Sequence, residues 1–501
     1  MHETTRPSKT PNEGFEQESA PIAAIHRIDR RKRIPLARQI YERVRTAIET
    51  GVLTPGARVA SARALASELA VARGTVEAAY QQLAGEGYLL ARGPAGTVVS
   101  PKLPATLRGR HPRASSARGH MGAGEAAHPA PAGPSPGAPP LQLGIPALDA
   151  FPRKLWSRLA ARRVRGTLAG DLGYGDPCGE WALRQAIAAY LHVSRGIVCS
   201  PDQVFVTSGY CASLGSIAGA LLRHGDTVWI EDPCYMPTRT VLQQASLLAQ
   251  PVAVDEEGLD VAAGCRSAPG ARLAVVTPSH QAPLCVSMTV ARRLALLDWA
   301  SRAQAWVFED DYDGEFHYSG PTLPALKSLD ENDRVIYAGS FSKVLFPALS
   351  LGYVVAPKAV APLLARAMHA APSRSSRVQQ ATVADFMTGG HFARHLKKMR
   401  LLYARRRAWL AEALRDSFGE PVEIDQTRGG MHLVVRLRTR LGDRELARRA
   451  REAGLNCQPL SGRYAKAQRQ QRGLLMGFTN VTSFAQARDI ARRLRDAFAI
   501  D

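Results

Sequence analysis

The chain has 501 residues and a formal charge of +21, from 65 Lys and Arg against 44 Asp and Glu. Such a length exceeds one ordinary core and predicts two or three domains, and the charge points either to an anionic partner such as nucleic acid or to an arginine-rich composition. No apolar run is long enough to span a membrane, the polar N-terminus lacks a signal-peptide plan, and seven cysteines without a CxxC pair indicate reduced thiols in a cytoplasmic protein, with neither a disulfide framework nor a metal site.

Residues 1–24 are polar, rich in Pro, Ser, Thr and Glu, and read as a disordered tail. Arg30-Arg31-Lys32-Arg33 follows, and Pro35 then opens a helix in which Ile40, Val44, Ala47 and Ile48 recur at helical spacing until Gly51. After the Pro55-Gly56 turn, Ser61 is placed to cap a short helix with Leu65 and Leu69 inward. A third helix from Arg73 carries the stripe Val76, Ala79, Tyr80, Leu83. Two short helices around a tight turn, the second bearing Arg73 and Thr75 at its start, follow the helix-turn-helix plan. A strand pair near 89–91 and 97–99, about Gly93-Pro94-Ala95-Gly96, supplies a wing, so 25–100 is predicted to be a winged-helix DNA-binding domain.

Residues 101–140, rich in Pro, Ala, Gly and Arg, show no hydrophobic period and read as a linker. From 141 to 501 strand-like runs alternate with helical patterns, the sign of an α/β domain around a mostly parallel sheet. The strand candidates are QVFVTSG, DTVWIED, RLAVVTPS, AWVFEDD, RVIYAGS and LGYVVAP. The large part is expected over about 141–390. A long basic helix from about 391 then leads to a smaller α+β subdomain ending at 501, with strands in GGMHLVVRL and GLLMGFT.

Strand ends collect ligands in such sheets. Lys343, in GSFSK, is flanked by small residues and hydroxyls. An amine held there can form a Schiff base with pyridoxal 5'-phosphate, with Ser340 and Ser342 toward the phosphate; the alternative is an ordinary turn lysine. Ser208-Gly209 opens a helix suited to a phosphate. Tyr235 can stack on the ring, Asp310 hold its nitrogen and Tyr312 meet its 3-hydroxyl oxygen. Each also has a plainer role, as core aromatic, strand-end cap or packing residue.

Two resemblances sharpen this. Residues 51–99, GVLTPGARVASARALASELAVARGTVEAAYQQLAGEGYLLARGPAGTVV, closely resemble the winged helix of GntR-type repressors. That implies DNA contacts from Arg63, Arg73 and Thr75, with Gly96 shaping the wing tip. The blocks LGYGDPCGEWALRQAIAAYL, VTSG, EDPCY, TPSHQAP, FEDDYDGEFHYSG, GSFSKVLFPALSLGY and GGHFARHLKKMR look like a fold-type-I aminotransferase. Together the two halves resemble the MocR/GabR group of transcriptional regulators. The resemblance implies Lys343 as imine lysine, Asp310 as pyridinium partner, Tyr312 as 3-hydroxyl partner, Tyr235 as stacking ring, and Ser340 and Ser342 at the phosphate. It also sets His280 near the ring, a satisfied strand-end histidine being the alternative.

Departures from the family pattern bear on affinity and effector. Ala60-Ser61 stands where Pro-Ser is usual, Ser350 where an arginine would grip the phosphate, Pro283-Leu284-Cys285 where Pro-Thr-Gly or Pro-Ser-Gly is usual, and Cys211-Ala212 where a Gln pair is usual. Pro237 replaces an arginine found in the GABA-responsive member, and GLLMGFT lacks a carboxylate-binding arginine, Arg472 being the nearest. The expected function is a regulator that binds a double-stranded operator as a head-to-tail homodimer and senses pyridoxal phosphate or a small amino compound. The alternatives are an active aminotransferase with an accessory DNA-binding domain and a degenerate, cofactor-free dimerisation scaffold.

Overall fold

The computed structural model describes residues 34–93, 96–101, 139–318, 324–371, 375–425, 427, 429–465 and 471–499. The tail 1–24, the basic run Arg30-Arg31-Lys32-Arg33, the wing-turn residues Pro94 and Ala95, and the linker between 102 and 138 lie outside the described residues. The chain forms two compact units that divide between Pro129 and Ala130.

The first unit comprises α1 (Leu36–Glu49), α2 (Ala62–Glu68), α3 (Arg73–Gly85) and the strands β1 (Leu89–Ala91) and β2 (Thr97–Val99). Ile40, Val44, Leu65, Val76, Leu83 and Val99 interlock as its core. The Ser61 hydroxyl accepts from the Ala64 N–H at 3.1 Å, so the cap forms although Ala60 replaces the usual proline. The wing strands pair antiparallel, Leu89 opposite Val99 and Ala91 opposite Thr97. Gly96 has φ +88°, and a Cβ there would lie 3.0 Å from Nε of Arg58. The positive φ is what favours glycine here, and a side chain would in addition press on the Arg58 guanidinium.

The second unit carries an eight-stranded sheet in the order β3-β10-β9-β8-β7-β4-β5-β6. These are β3 (Val204–Thr207), β4 (Thr227–Asp232), β5 (Leu248–Asp255), β6 (Gly258–Leu259), β7 (Leu273–Val276), β8 (Trp306–Asp311), β9 (Val335–Ser340) and β10 (Gly352–Val355). From β5 through β9 neighbouring strands are parallel. β10 runs antiparallel to both of its neighbours, so Gly352 sits opposite Thr207 on one side and Ser340 on the other. That single reversal brings the start of β10 to the edge where β3 and β9 end. The helices associated with this part of the chain are α4 (Arg153–Arg165), α5 (Trp181–Arg195), α6 (Tyr210–Leu221), α7 (Met236–Gln244), α8 (Val261–Ser267), α9 (Val290–Arg302), α10 (Phe341–Val344), α11 (Ala361–Ala370) and α12 (Arg377–Thr388). β5 is missing from the sequence expectations because Pro251 interrupts its apolar run; it pairs with β4 nonetheless, Pro251 opposite Ile230.

The 28-residue α13 (His391–Phe418) leads to a second, antiparallel sheet of order β11-β12-β14-β13. Its strands are β11 (Val422–Ile424), β12 (His432–Leu437), β13 (Gln458–Pro459) and β14 (Leu474–Gly477), accompanied by α14 (Asp443–Glu452) and α15 (Phe484–Phe498). The segment leading into this unit joins the same sheet. The Gly477 N–H donates to the Leu141 carbonyl at 2.9 Å and the Asn456 N–H to the Pro140 carbonyl at 2.8 Å. No helix among the described residues is long and apolar enough to cross a membrane.

Candidate functional site

A cavity of about 490 Å³ lies at the carboxyl ends of the large-sheet strands, with His432, Gln458 and Leu475 of the small sheet among its walls. Ser208, Gly209, Tyr235, Asp310, Tyr312, Ser340, Ser342 and Lys343 all line it, so eight of the residues singled out for a cofactor meet around one space. β8 ends in Asp310-Asp311 and β9 in Ser340, whose next turn, α10, carries Lys343.

Lys343 is half-buried, and its side-chain nitrogen donates to the Gly144 carbonyl at 3.2 Å. Gly144 has φ +72°, and a Cβ there would come within 2.6 Å of Nζ. Any side chain at 144 would therefore fill the space the lysine uses. Burial lowers the Lys343 pKa, opposed by the nearby charges of Asp310 and Asp313. This favours the neutral, nucleophilic amine.

Asp310 makes no hydrogen bond or ion pair among the described residues. Burial and the like charges of Asp311 and Asp313 push its pKa well up, with Lys343 opposing. The Tyr312 hydroxyl is buried without a partner, and burial raises its pKa. Tyr235 caps α7, is 42% exposed, and meets Tyr210 edge-on with centroids 5.4 Å apart. Gly209 precedes α6 with φ +113° and open space where a Cβ would be, leaving the helix's first N–H groups accessible. Ser350 also has positive φ, +46°, and its hydroxyl donates to the Ser208 carbonyl at 3.2 Å. The missing arginine's position is thus beside Ser208-Gly209.

His280 is not among the cavity residues. It is buried, its Nδ1 lies 2.9 Å from Asp313 Oδ1, and its ring stacks on His317. Beneath the site, Arg195 pairs with Asp311, which also accepts from the Tyr337 hydroxyl at 2.7 Å. Glu231 accepts from Thr277 and Gln281, and burial pushes its carboxyl up to about 7.

Sequence reasoning missed several wall residues. Arg463 lines the cavity with Gln458, His432 and Cys234, and burial lowers its pKa. The carboxylate-binding cation was sought on β14, where Arg472 only offers its carbonyl to Arg436 at 3.2 Å. Arg463 reaches the cavity wall from the turn after β13, a tertiary proximity without a local sequence signal. Cys285, at a position usually held by glycine, has φ +58°, with its sulfur 3.2 Å from Nε2 of His432. All seven cysteines are free thiols.

On the DNA-binding unit, Arg63 on α2 and Arg73 at the start of α3 are exposed, while Thr75 on α3 and Gly96 in the wing are half-buried. Arg73 pairs with Glu77 at 2.7 Å, its side chain 68% exposed.

The fold and the site together define a winged helix-turn-helix joined to an aminotransferase-type α/β unit. Residues 36–99 match the family described as bacterial regulatory proteins, gntR family, and 152–472 match aminotransferase class I and II. The chain is 36% identical over 481 residues to the probable rhizopine catabolism regulatory protein MocR of Rhizobium meliloti, covering 94% of this chain and 95% of that protein. It is 33% identical to the HTH-type transcriptional regulator TauR of Rhodobacter capsulatus (91% and 96% covered). It is 31% identical to the pyridoxine biosynthesis transcriptional regulator PdxR of Corynebacterium glutamicum (79% and 82%). Among solved structures, Pyrococcus horikoshii kynurenine aminotransferase superposes with a TM-score of 0.65 at 27% identity, covering 72% of this chain and 90% of that one. LysN of Thermus thermophilus, solved with N-(5'-phosphopyridoxyl)-L-leucine, gives 0.64 at 26% identity, covering 72% and 91%. The chain belongs to the MocR/GabR group of transcriptional regulators.

Proposed function

We propose that this DNA-binding regulator holds pyridoxal phosphate in the aminotransferase-type cavity and responds to the cofactor or to an amino compound that reacts with it. The observation that carries this reading is the convergence of Lys343, the unpartnered Asp310 and the orphaned Tyr312 hydroxyl on one cavity. These groups fit the cofactor, because a cationic ring nitrogen and a phenolate-like oxygen would satisfy the two groups the fold leaves without partners. When bound, pyridoxal phosphate supplies an aldehyde that condenses with amines and a ring that draws electrons from the product.

Lys343 offers the amine, its neutral form favoured by burial and its nitrogen directed by the Gly144 carbonyl. Asp310 holds the ring proton, Tyr312 donates toward the ring oxygen, and Tyr235 covers a face. Ser208, Gly209, Ser340 and Ser342 surround the phosphate end. Arg463 gives the opposite wall a cation suited to an effector's carboxylate. The same Arg463 supports a second reading, turnover of an amino acid, which sustained keto-acid production from an amino-acid panel would establish.

On the DNA side, Arg63, Arg73 and Thr75 contact a double-stranded operator. Two copies associate head to tail, so that paired winged helices match repeated half-sites. The regulator works in the cytoplasm, where its operator is.

Titration of pyridoxal phosphate into wild type and Lys343→Ala tests the central claim. Wild type is expected to develop a visible absorption band and K343A to lack it. A wild-type protein without the band at any reachable concentration would end the sensor reading and leave the dimerisation scaffold in its place.

A further inference from the structure

The charge of this chain is unevenly placed. Residues 141–390 carry 22 Lys and Arg against 22 Asp and Glu and are formally neutral, whereas 391–501 carry 24 against 11, an excess of 24 − 11 = +13. An arginine-rich coding habit would raise both regions, so the basic C-terminal part has a local cause.

Part of the excess, 8 − 4 = +4, sits in a repeat. Residues 444–452, RELARRARE, and 488–496, RDIARRLRD, share the pattern Arg, acid, aliphatic, Ala, Arg, Arg, aliphatic, Arg, acid. They occupy α14 and α15, which pack against each other. Each helix turns the same positions inward: Leu446, Ala447 and Ala450 on one, Ile490, Ala491 and Leu494 on the other. The arginines at 444, 448 and 451 and at 488, 492 and 495 are all exposed.

Spacing of i, i+4, i+7 sets three guanidinium groups in one stripe roughly 10 Å long. About three phosphates of one DNA strand fall within the same axial rise. Glu445, Glu452, Asp489 and Asp496 lie one position farther round each helix and flank the stripes without interrupting them. Arg448 pairs with Glu445 and Glu452, and Arg492 with Asp489, all in solvent; exposed pairs of this kind exchange readily for a phosphate. Arg444, Arg451 and Arg495 make no ion pair among the described residues, and Arg488 rests over the Phe484 ring.

We propose that the outer faces of α14 and α15 form a second DNA-contacting surface, which grips the phosphate backbone of the duplex that the winged helix reads. A regular polyanion is the partner that matching arginine stripes fit, since guanidinium groups bind phosphate bidentately and without regard to base sequence. Duplex DNA is the polyanion this chain already recruits, so the contact is intramolecular once the winged helix has bound.

The test uses the full chain and a mixed-sequence duplex several helical turns long, with binding followed by fluorescence anisotropy across a salt series. The R444Q/R451Q/R488Q/R495Q variant is expected to reduce the slope of log K against log salt by roughly 3 to 4, and the corresponding lysine variant to keep it. Glutamine preserves helix propensity, and the half-variants R444Q/R451Q and R488Q/R495Q, each losing about half as much, serve if the fourfold change misfolds. A control from the neutral region, R223Q/R266Q/R272Q/R366Q, removes equal charge and is expected to leave the slope in place. An unchanged slope in the α14/α15 variant, an equal drop in the control, or an effect confined to anionic lipid vesicles would overturn the proposal.

Discussion

Replacing Ser350 by arginine is expected to tighten binding of pyridoxal phosphate by about tenfold while leaving unphosphorylated pyridoxal unaffected. The position sits beside Ser208-Gly209, because β10 runs against its neighbours and begins where β3 and β9 end. Ser350 already occupies the left-handed region, at φ +46°, and arginine carries the same Cβ, so the backbone cost is unchanged by the swap. The hydroxyl's bond to the Ser208 carbonyl is solvent-exposed, and its loss costs about 0.5–1 kcal/mol. A guanidinium on the phosphate contributes about 1.5–3 kcal/mol. The net of about 1–2 kcal/mol is roughly a factor of ten in Kd. Equilibrium titration followed by visible absorption, run in parallel with both vitamers, gives the ratio directly. If S350R strengthens both equally, or neither, then the turn before β10 does not face the phosphate and the anatomy assigned to this end of the cavity is wrong.

Glu231→Gln should change how stability depends on pH. The Glu231 carboxyl is pushed up to about 7 from the ordinary 4.5, so between those values the folded chain keeps a proton that the unfolded chain has released. Its contribution is therefore full below about pH 4.5 and is lost as pH rises through about 7, at up to about 1.4 kcal/mol per pH unit. Urea unfolding of wild type and E231Q across pH 5 to 8 checks this, and parallel curves would refute it. Leu168 and Leu172 are 72% and 79% exposed, near Val164 at 59%, an apolar run suited to burial against a second copy. L168E/L172E is expected to shift the mass seen by light scattering from dimer to monomer at micromolar concentration; a monomeric wild type, or a dimeric variant, would contradict that.

The sequence made the architecture legible where one side-chain period dominates. The winged-helix stripe and the six apolar runs of the large sheet lie where their patterns place them, while β5 was hidden by Pro251. Eight of the nine cofactor candidates proved to share one cavity, because strand ends and the turns after them are local features, while His280 fell outside it. What escaped comes from elements far apart in the chain. Gly144 meets Lys343 across 199 residues, and Arg463 reaches the cavity from a turn that no periodicity singles out. Residues 444–452 and 488–496 each carry a helical pattern, but their shared pattern matters only once both are known to lie side by side with the same face out.

The buried carboxylates differ in whether the fold supplies them a partner. Glu231 is held by Thr277 and Gln281, and Glu309 by the N–H groups of Leu326 and Lys327. Asp311 is held by Arg195 and Tyr337, Asp313 by His280 and Glu315 by Tyr190. Among these acids Asp310 faces the cavity without a partner in the described residues, and its surroundings oppose its ionisation. A cationic ring bound there would reverse that balance, so Asp310 favours exactly the state in which the cavity is filled by a protonated base. Ligand that binds only the folded unit adds stability as RT ln(1 + [L]/Kd). An unpartnered acid in the empty cavity therefore lowers the stability of the free state relative to the loaded one.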